Sequence, residues 1–240
     1  MNLNRTLLTT ALLTALAVTP VFAAKGGNGN GAGDGTGICT TCTTGTVDAK
    51  EAATLTFMRE EEKLARDFYR AANELWPTAL FVNIAAAEQQ HMDAIARMLT
   101  KYRLPDPVAT DIPGHFVDQT LQQFYDQLTA RARTSQIEAL QAGGLIEEVD
   151  IEDNQNAIDA TDNLDLKVVY GNLLRGSRNH LRALVREIER QGGEYTAQHL
   201  DQATVDVIVD SPMERGGRGD GTGTGGRGDG TGIGGRGGRN

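Results

Sequence analysis

The sequence predicts an all-α fold: a four-helix bundle built from two duplicated helical hairpins, with a short crossover helix and a short C-terminal helix. Apolar residues recur at spacings of three and four, and no segment alternates with a period of two. An ungapped internal repeat aligns residues 81–95 with residues 170–184 at a constant offset of 89 positions. His91 and His180, two of only four histidines, occupy the same position in the two copies. Each hairpin is therefore expected to present one histidine to a common core.

The first predicted hairpin is delimited by a proline and a capping threonine. Residues 55–76 form an amphipathic stripe that ends before Pro77, because the residue preceding a proline is disfavoured in helical geometry. Thr78 is the predicted N-cap of the second helix, which ends near Tyr102. Glu62 stands in the middle of the first helix's apolar stripe, where an apolar side chain is expected.

A connection of two parts separates the hairpins. Residues 104–114 contain three prolines and are predicted to form a crossing loop, and residues 117–131 read as a short amphipathic helix. Ser135 is the predicted N-cap of the third helix, with Glu138 as its capping-box partner.

The second predicted hairpin also carries an acid in an apolar stripe, Glu148 of the third helix. The fourth helix begins after Asn163 or Asp165 and stops at Gly192–Gly193, a C-terminal signal. Residues 196–209 are expected to form the short terminal helix. The solvent-exposed face of the fourth helix is expected to hold Arg175, Arg178, Arg182 and Arg186, and no role is assigned to His115 or His199.

Acids and histidines at these core positions form a candidate metal site. Glu88 precedes His91 by three residues, so the two side chains share one helix face. Carboxylate and imidazole groups suit iron, manganese or zinc, and buried carboxylates call for compensating cations. The choices between Glu61 and Glu62 and between Glu147 and Glu148 stay open, and residues 60–62 also fit a solvated charge run. The candidate ligands are Glu62, Glu88, His91, Glu148 and His180.

Both ends of the chain differ from the folded unit in composition. Residues 1–23 have the charged start, apolar run and small-x-small site of a secretory signal peptide. Residues 24–50 are predicted to form a Gly/Thr-rich disordered tether, residues 51–210 the folded bundle, and residues 211–240 a Gly/Arg/Asp-rich disordered tail. The only cysteines, Cys39 and Cys42, lie in the tether, and a local disulfide is the interpretation that suits an exported protein.

Three segments resemble the ferritin-like superfamily and, more narrowly, an uncharacterised ferritin-like family of prokaryotes that is a domain of unknown function. They are MREEEKLARDFY at residues 58–69, EQQHMDA at residues 88–94 and LLRGSRNHLRA at residues 173–183. The resemblance covers about residues 52–209. It implies a ferritin-like bundle that takes a Glu from each of two helices and metal ligands of the Glu-x-x-His type from the other two.

The resemblance also implies a role for each candidate ligand. Glu62 is the ligand from the first helix, and Glu88 bridges two metals. His91 binds the first metal, Glu148 comes from the third helix, and His180 binds the second metal.

One position departs from this pattern. Ser177 stands three residues before His180 and 89 after Glu88, where the pattern has a glutamate. The second metal therefore has an open position or is absent. Tyr69 and Tyr170 are the candidate catalytic residues, as electron donors to the metal site.

The function expected from this resemblance is that of an exported di-metal carboxylate protein that oxidises Fe(II) or consumes O2 or peroxide. The expected cofactor is iron, as two ions or one, with manganese as the alternative. The alternative function is a non-catalytic envelope module that binds metal for stability or sequestration. The expected location is secreted or periplasmic.

The expected partners follow from composition and from the candidate site. They are metal ions and O2 or peroxide, with no nucleic acid and no membrane span. A homodimer is the candidate assembly. The basic tail is expected to contact anionic envelope polymers, because five arginines face two aspartates in residues 215–240.

Overall fold

The computed structural model describes residues 45–215. This range contains six helices and no strand. The helices are α1 (Ala49–Leu75), α2 (Ala79–Tyr102), α3 (Gln119–Ala132), α4 (Gln136–Ala160), α5 (Leu164–Arg190) and α6 (Gln202–Asp210). None of them is long and apolar enough to cross a membrane. The predicted signal peptide, Cys39, Cys42 and residues 216–240 lie outside the described residues.

The helix ends follow local capping chemistry. The Asp48 carboxylate accepts hydrogen bonds from the backbone N–H groups of Lys50 and Glu51, and the Asp48 N–H donates to the Glu51 carboxylate. This capping box starts α1 at Ala49, six residues before the start of the predicted stripe. The predicted caps Thr78 and Ser135 are confirmed at the starts of α2 and α4.

The four long helices pack as two antiparallel hairpins, α1 with α2 and α4 with α5. Between hairpins, Glu51 contacts Thr161 and Tyr69 contacts Gly143, so α1 runs antiparallel to α4. One apolar cluster surrounds Phe68, Phe81 and Leu184, and a second surrounds Leu55, Ile95 and Leu166. Between these clusters, along all four helices, lie buried acids and two histidines.

The charged segment 59–67 of α1 is buried, so its interpretation as a solvated charge run is wrong. Its side chains bind the loop between α2 and α3. Arg59 donates to Asp106 and to the Met92 carbonyl, and Arg66 donates to Asp67 and Asp111. These partners lie more than 30 residues away in sequence, apart from Asp67, and periodicity along α1 does not reveal them.

Glu60 of α1 positions the start of α3. Its carboxylate accepts hydrogen bonds from the backbone N–H groups of Val117 and Asp118. Asp118 then caps α3, so the helix starts at Gln119 and not at Val117 as predicted.

The C-terminal part of the described chain packs on α5. Arg182 is buried and donates to the Ile208 carbonyl, Ser211 and Glu214, and Arg178 donates to both carboxylate oxygens of Glu214. The expectation that Arg182 is exposed was therefore wrong. Ser211 and Glu214 thus contact α5 beyond residue 210, where the predicted folded domain ends.

Candidate metal centre

Glu88 lies at the centre of the buried polar layer, between two histidines. Its Oε2 atom is 2.6 Å from Nδ1 of His91, and its Oε1 atom is 2.7 Å from Nδ1 of His180. Glu88 has no exposed surface, and neither of its oxygens has an aligned hydrogen-bond partner. The two short approaches therefore bring ligand atoms together without pairing them as donor and acceptor.

Two further carboxylates flank this arrangement. The Glu62 Oε2 atom is 3.1 Å from His91 Nδ1, and the Glu147 Oε2 atom is 3.4 Å from His180 Nδ1. The result is two groups of three ligand atoms, each within 4.8 Å of one another, that share Glu88. One group consists of Glu62, Glu88 and His91, and the other of Glu88, Glu147 and His180.

Helix geometry sets this convergence. Glu88 and His91 are one turn apart on α2 and share a face. Glu62, Glu147 and His180 come from α1, α4 and α5 respectively. The imidazole rings of His91 and His180 lie 5.7 Å apart between centroids, inclined by 31°. Each of the four long helices therefore contributes at least one group.

Burial and mutual charge shift the pKa values of these groups strongly. Burial raises the pKa of Glu62 to about 7, although His91 opposes the shift. Burial also raises the pKa of Glu147. For Glu88, the two histidines outweigh burial and hold its pKa well below the usual range. Burial lowers the pKa of His180, but Glu88 and Glu147 outweigh it and raise that pKa to about 10.

The donor set fits a pair of divalent cations. Glu147 Oε2 and His180 Nδ1 are buried without an aligned hydrogen-bond partner, as are both Glu88 oxygens. Unpartnered buried polar atoms are costly, and a cation between these ligand atoms would compensate several at once. Imidazole nitrogen with carboxylate oxygen suits iron, manganese or zinc.

Glu148, the predicted ligand from this helix, lies outside both groups. Its carboxylate accepts hydrogen bonds from the Tyr195 hydroxyl at 2.5 Å and from the backbone N–H groups of Gln198, His199 and Leu200. The adjacent Glu147 faces Glu88 and His180 instead. Because Glu148 binds the backbone of residues 198–200, these residues form a loop, and α6 starts at Gln202 and not at residue 196 as predicted.

The sequence prediction selected Glu148 instead of Glu147 because α4 is buried on two sides. Gly143 and Glu147 face the core, whereas Gly144 and Glu148 face the loop that carries Tyr195. The apolar stripe predicted for this helix lies on the side that faces the loop with Tyr195. An alignment offset of 85 residues pairs Glu62 with Glu147 and identifies the core-facing side, whereas pairing Glu62 with the predicted Glu148 takes an offset of 86.

Tyr69 contacts the second group directly. Its hydroxyl donates to Glu147 Oε1 and lies 3.2 Å from the Gly143 carbonyl oxygen. Burial and the Glu147 charge raise the pKa of Tyr69 well above its usual value, so the phenol stays protonated. A Cβ atom at Gly143 would lie 3.0 Å from the Tyr69 ring, which explains why a glycine suits that position.

Comparison with known proteins assigns the family. A family model described as an uncharacterized protein domain, DUF2202, matches residues 51–212. The chain belongs to the DUF2202 family. It is 43% identical over 170 residues to the uncharacterized protein MJ0754 of Methanocaldococcus jannaschii, covering 71% of this chain and 92% of that protein.

A solved structure resembles this DUF2202 chain along the same region. It is the crystal structure of the hypothetical protein MJ0754, with a TM-score of 0.70 and 40% sequence identity. The alignment covers 73% of this chain and all of that one.

In this DUF2202 chain, Gly176 of α5 packs against the His91 ring, and the neighbouring Ser177 bonds to its own helix. The Ser177 hydroxyl is buried and donates to the Leu173 carbonyl within its own helix, at 3.2 Å. A Cβ atom at Gly176 would lie 2.5 Å from Cε1 and Nε2 of His91, so only glycine lets α5 approach this ring without displacing it.

Tyr170, the second candidate electron donor, lies apart from both ligand groups of the DUF2202 centre. Its hydroxyl is buried without a hydrogen-bond partner, in a small cavity lined by Glu51, Ala157 and Thr161 near the start of α1. Burial and the Glu51 charge raise its pKa above the usual value.

Asp150 was not predicted as a site residue. It is 1% exposed, and its Oδ2 atom has no hydrogen-bond partner. Asp150 follows Glu147 by one helical turn on the core-facing side of α4. That spacing of two acids is visible in the sequence, but only once the core-facing side of α4 is known.

Proposed function

We propose that this chain is an exported ferritin-like protein whose helices α1, α2, α4 and α5 form a four-helix bundle around a di-metal carboxylate centre. One observation carries the proposal: Glu88 approaches both histidines at 2.6 and 2.7 Å without a hydrogen bond to either. A single carboxylate placed between two imidazoles in this way suits a bridge between two cations. The residues that would hold the cations are Glu62, Glu88, His91, Glu147 and His180.

The proposed cofactor is iron, as two ions or one, and manganese is the alternative. The buried set of three carboxylates and two imidazoles favours a divalent cation of this class. When bound, iron supplies the one-electron redox chemistry needed to oxidise Fe(II) or to consume O2 or peroxide.

The chain's own contribution to such a reaction comes from Tyr69. Its phenol is buried, protonated and hydrogen-bonded to Glu147, so it orients that ligand and can supply an electron and a proton next to the centre. Tyr170 has no such contact, and the proposal therefore rests on Tyr69. The buried apolar clusters on both sides of the polar layer exclude bulk water from these groups.

Export and partners are proposed from the sequence. Residues 1–23 have the pattern of a signal peptide, which supports a secreted or periplasmic location. Metal ions and O2 or peroxide are the proposed small partners. A homodimer and a contact between the basic tail and anionic envelope polymers are further parts of the same proposal.

A non-catalytic metal-binding module of the cell envelope is the second candidate. Ser177 favours it, because a buried hydroxyl bonded to its own helix replaces a carboxylate and leaves three negative charges for two divalent cations. Such a centre could hold metal for stability or sequestration without turnover.

An anaerobic titration followed by oxygen distinguishes the two functions. Metal-free protein is titrated with Fe(II), metal content is measured, and absorbance and O2 consumption are then followed after air is admitted. We expect up to two iron equivalents and O2 consumption in the parent, loss of both in His91→Ala and His180→Ala, and slower O2 consumption with full metal content in Tyr69→Phe. Bound iron without O2 consumption would favour the non-catalytic module, and no bound iron or manganese would refute both.

A further inference from the structure

The internal repeat assigns Ser177 the position of a second bridging carboxylate. Position 177 corresponds to Glu88 at the offset of 89 residues, and Glu88 reaches both histidines. Residue 177 is a serine whose hydroxyl donates to the Leu173 carbonyl, so it does not supply that charge. The centre therefore lacks one acid on α5.

The register between α4 and α5 identifies the residue opposite this gap. Gly143 lies against Leu184, and Glu147 lies 3.4 Å from His180. Since the two helices are antiparallel, one further turn along α4 brings Asp150 to the level of Ser177.

The register between α1 and α4 leads to the same residue. Glu51 contacts Thr161 and Tyr69 contacts Gly143, so the two antiparallel helices bring Asp150 to the level of Glu62. Asp150 is consequently level with Glu62, which serves the first ligand group, and one turn from Glu147, which serves the second.

The surroundings of Asp150 favour the binding of a cation. The side chain is 1% exposed, and its Oδ2 atom has no hydrogen-bond donor. Burial, with the charges of Glu61, Glu62 and Glu147, raises the pKa of Asp150 well above its usual value. Among the described residues, no arginine or lysine pairs with Asp150, whereas Asp67 of α1 pairs with Lys63 and Glu60 accepts two backbone hydrogen bonds.

Glu61 does not occupy the same role. Burial, and then the neighbouring charge of Asp153 one turn beyond Asp150 on α4, raise the pKa of Glu61. Asp153 is partly exposed and belongs to neither ligand group. It therefore provides a matched control, an acid on the same helix that faces Glu61 and not the two histidines.

We propose that Asp150 supplies the fourth carboxylate of the loaded centre, on the side of α4 that faces Ser177, and so replaces the bridging acid that α5 lacks. This inference rests on the proposed di-metal centre. Asp150 lies outside both ligand groups in the structure, and its role is to place negative charge between the two cations. That charge matters most when both cations are present, because it offsets their mutual repulsion.

The test is binding of Mn(II), which is detected by the loss of the free-ion electron paramagnetic resonance signal and requires no turnover. The parent is expected to bind two equivalents. In Asp150→Asn, the second equivalent should bind about 10- to 100-fold more weakly, the range found when supporting groups of metal sites are removed. Asp153→Asn should bind both equivalents like the parent.

A charge swap tests the equivalence of the two positions. In Asp150→Asn/Ser177→Glu, the new carboxylate on α5 should restore the affinity for the second equivalent. The melting temperature of metal-free Asp150→Asn should equal or exceed that of the parent, because a buried unpaired acid is removed. This measurement separates a specific loss of binding from misfolding.

The outcomes of these titrations distinguish a failure of the role of Asp150 from a failure of the di-metal centre. Unchanged binding in Asp150→Asn, an equal loss in Asp153→Asn, or no recovery in the double variant would overturn the role of Asp150 and leave the di-metal centre intact. A parent that binds no Mn(II) and no Fe(II) would overturn the proposed function together with this inference.

Discussion

The carboxylates of Glu147 and Glu148, consecutive residues of α4, point to two different sides of the helix. Glu147 lies 3.4 Å from His180, whereas Glu148 accepts a 2.5 Å hydrogen bond from Tyr195 and three more from the backbone. Both are fully buried. Burial alone therefore does not distinguish the proposed ligand from the structural acid.

Conservative substitution of this pair should separate metal binding from stability. Glu147→Gln removes a charge from the second ligand group and should lower metal content with little change in the melting temperature of the metal-free protein. Glu148→Gln should keep full metal content but lose about 1–3 kcal/mol of stability, because charged acceptors hold backbone donors more strongly than neutral ones. Metal analysis and thermal unfolding check both; the opposite assignment would be supported if Glu148→Gln alone lost metal.

Two glycines of α5 provide a second matched pair. Gly176→Ala should weaken metal binding about tenfold or more, because its Cβ atom would lie 2.5 Å from the His91 ring and displace it. Gly171→Ala meets no atom within 4 Å and should stabilise the protein by about 0.5–1 kcal/mol through helix propensity. Mn(II) titration and melting curves check the pair. Equal metal affinity in the two variants would mean that His91 does not need its observed position.

The successful sequence predictions are those that depend on local chemistry. Thr78 and Ser135 cap helices because their side chains accept nearby backbone N–H groups, and these interactions span at most three residues. The buried position of Glu62 followed from its place in an apolar stripe. Glu88 and His91 share a face because helix geometry alone requires it.

The failures concern interactions between distant parts of the chain. α4 is covered on one side by the other long helices and on the other by the loop with Tyr195, so its apolar pattern does not favour Glu147 over Glu148. Arg182 is buried because Glu214 and Ser211, about 30 residues later, fold back onto it. Burial of an arginine by a distant acid leaves no periodic signal in the sequence.

Metal binding should raise thermal stability, because a ligand that binds only the folded state stabilises it. At a free Mn(II) concentration about 100 times Kd, each site adds about 2.7 kcal/mol, which corresponds to a rise in Tm of roughly 5–10 °C for a domain of this size. His91→Ala and His180→Ala should show smaller rises, and a chelator should reverse the effect in the parent. Differential scanning calorimetry with and without Mn(II) measures this; equal rises in all three proteins would place the cation elsewhere.

The contact between Glu214 and α5 predicts where the chain can be shortened. A protein that ends at Arg215 should melt like the full-length chain, whereas one that ends at Ser211 loses Glu214 and its bonds to Arg178 and Arg182. Glu214 and Arg178 are partly exposed, so the loss should be roughly 1 kcal/mol after solvent screening. The corresponding fall in Tm is about 2–4 °C. Equal melting of the two shortened proteins would show that the contact contributes nothing.

The same contact predicts a pH dependence with a definite sign. Hydrogen bonds from Arg178, and then from Arg182, lower the pKa of Glu214 to about 2, whereas an unfolded glutamate titrates near 4.3. Because the folded pKa is the lower one, the contribution is complete above about pH 5 and decreases as the pH falls towards 2. The Tm difference between the parent and Glu214→Gln should therefore be constant from pH 7 to pH 5 and shrink between pH 4.3 and pH 3. A difference that grows on acidification would mean that Glu214 stabilises the fold in its protonated form and that the arginine pairing is not its source.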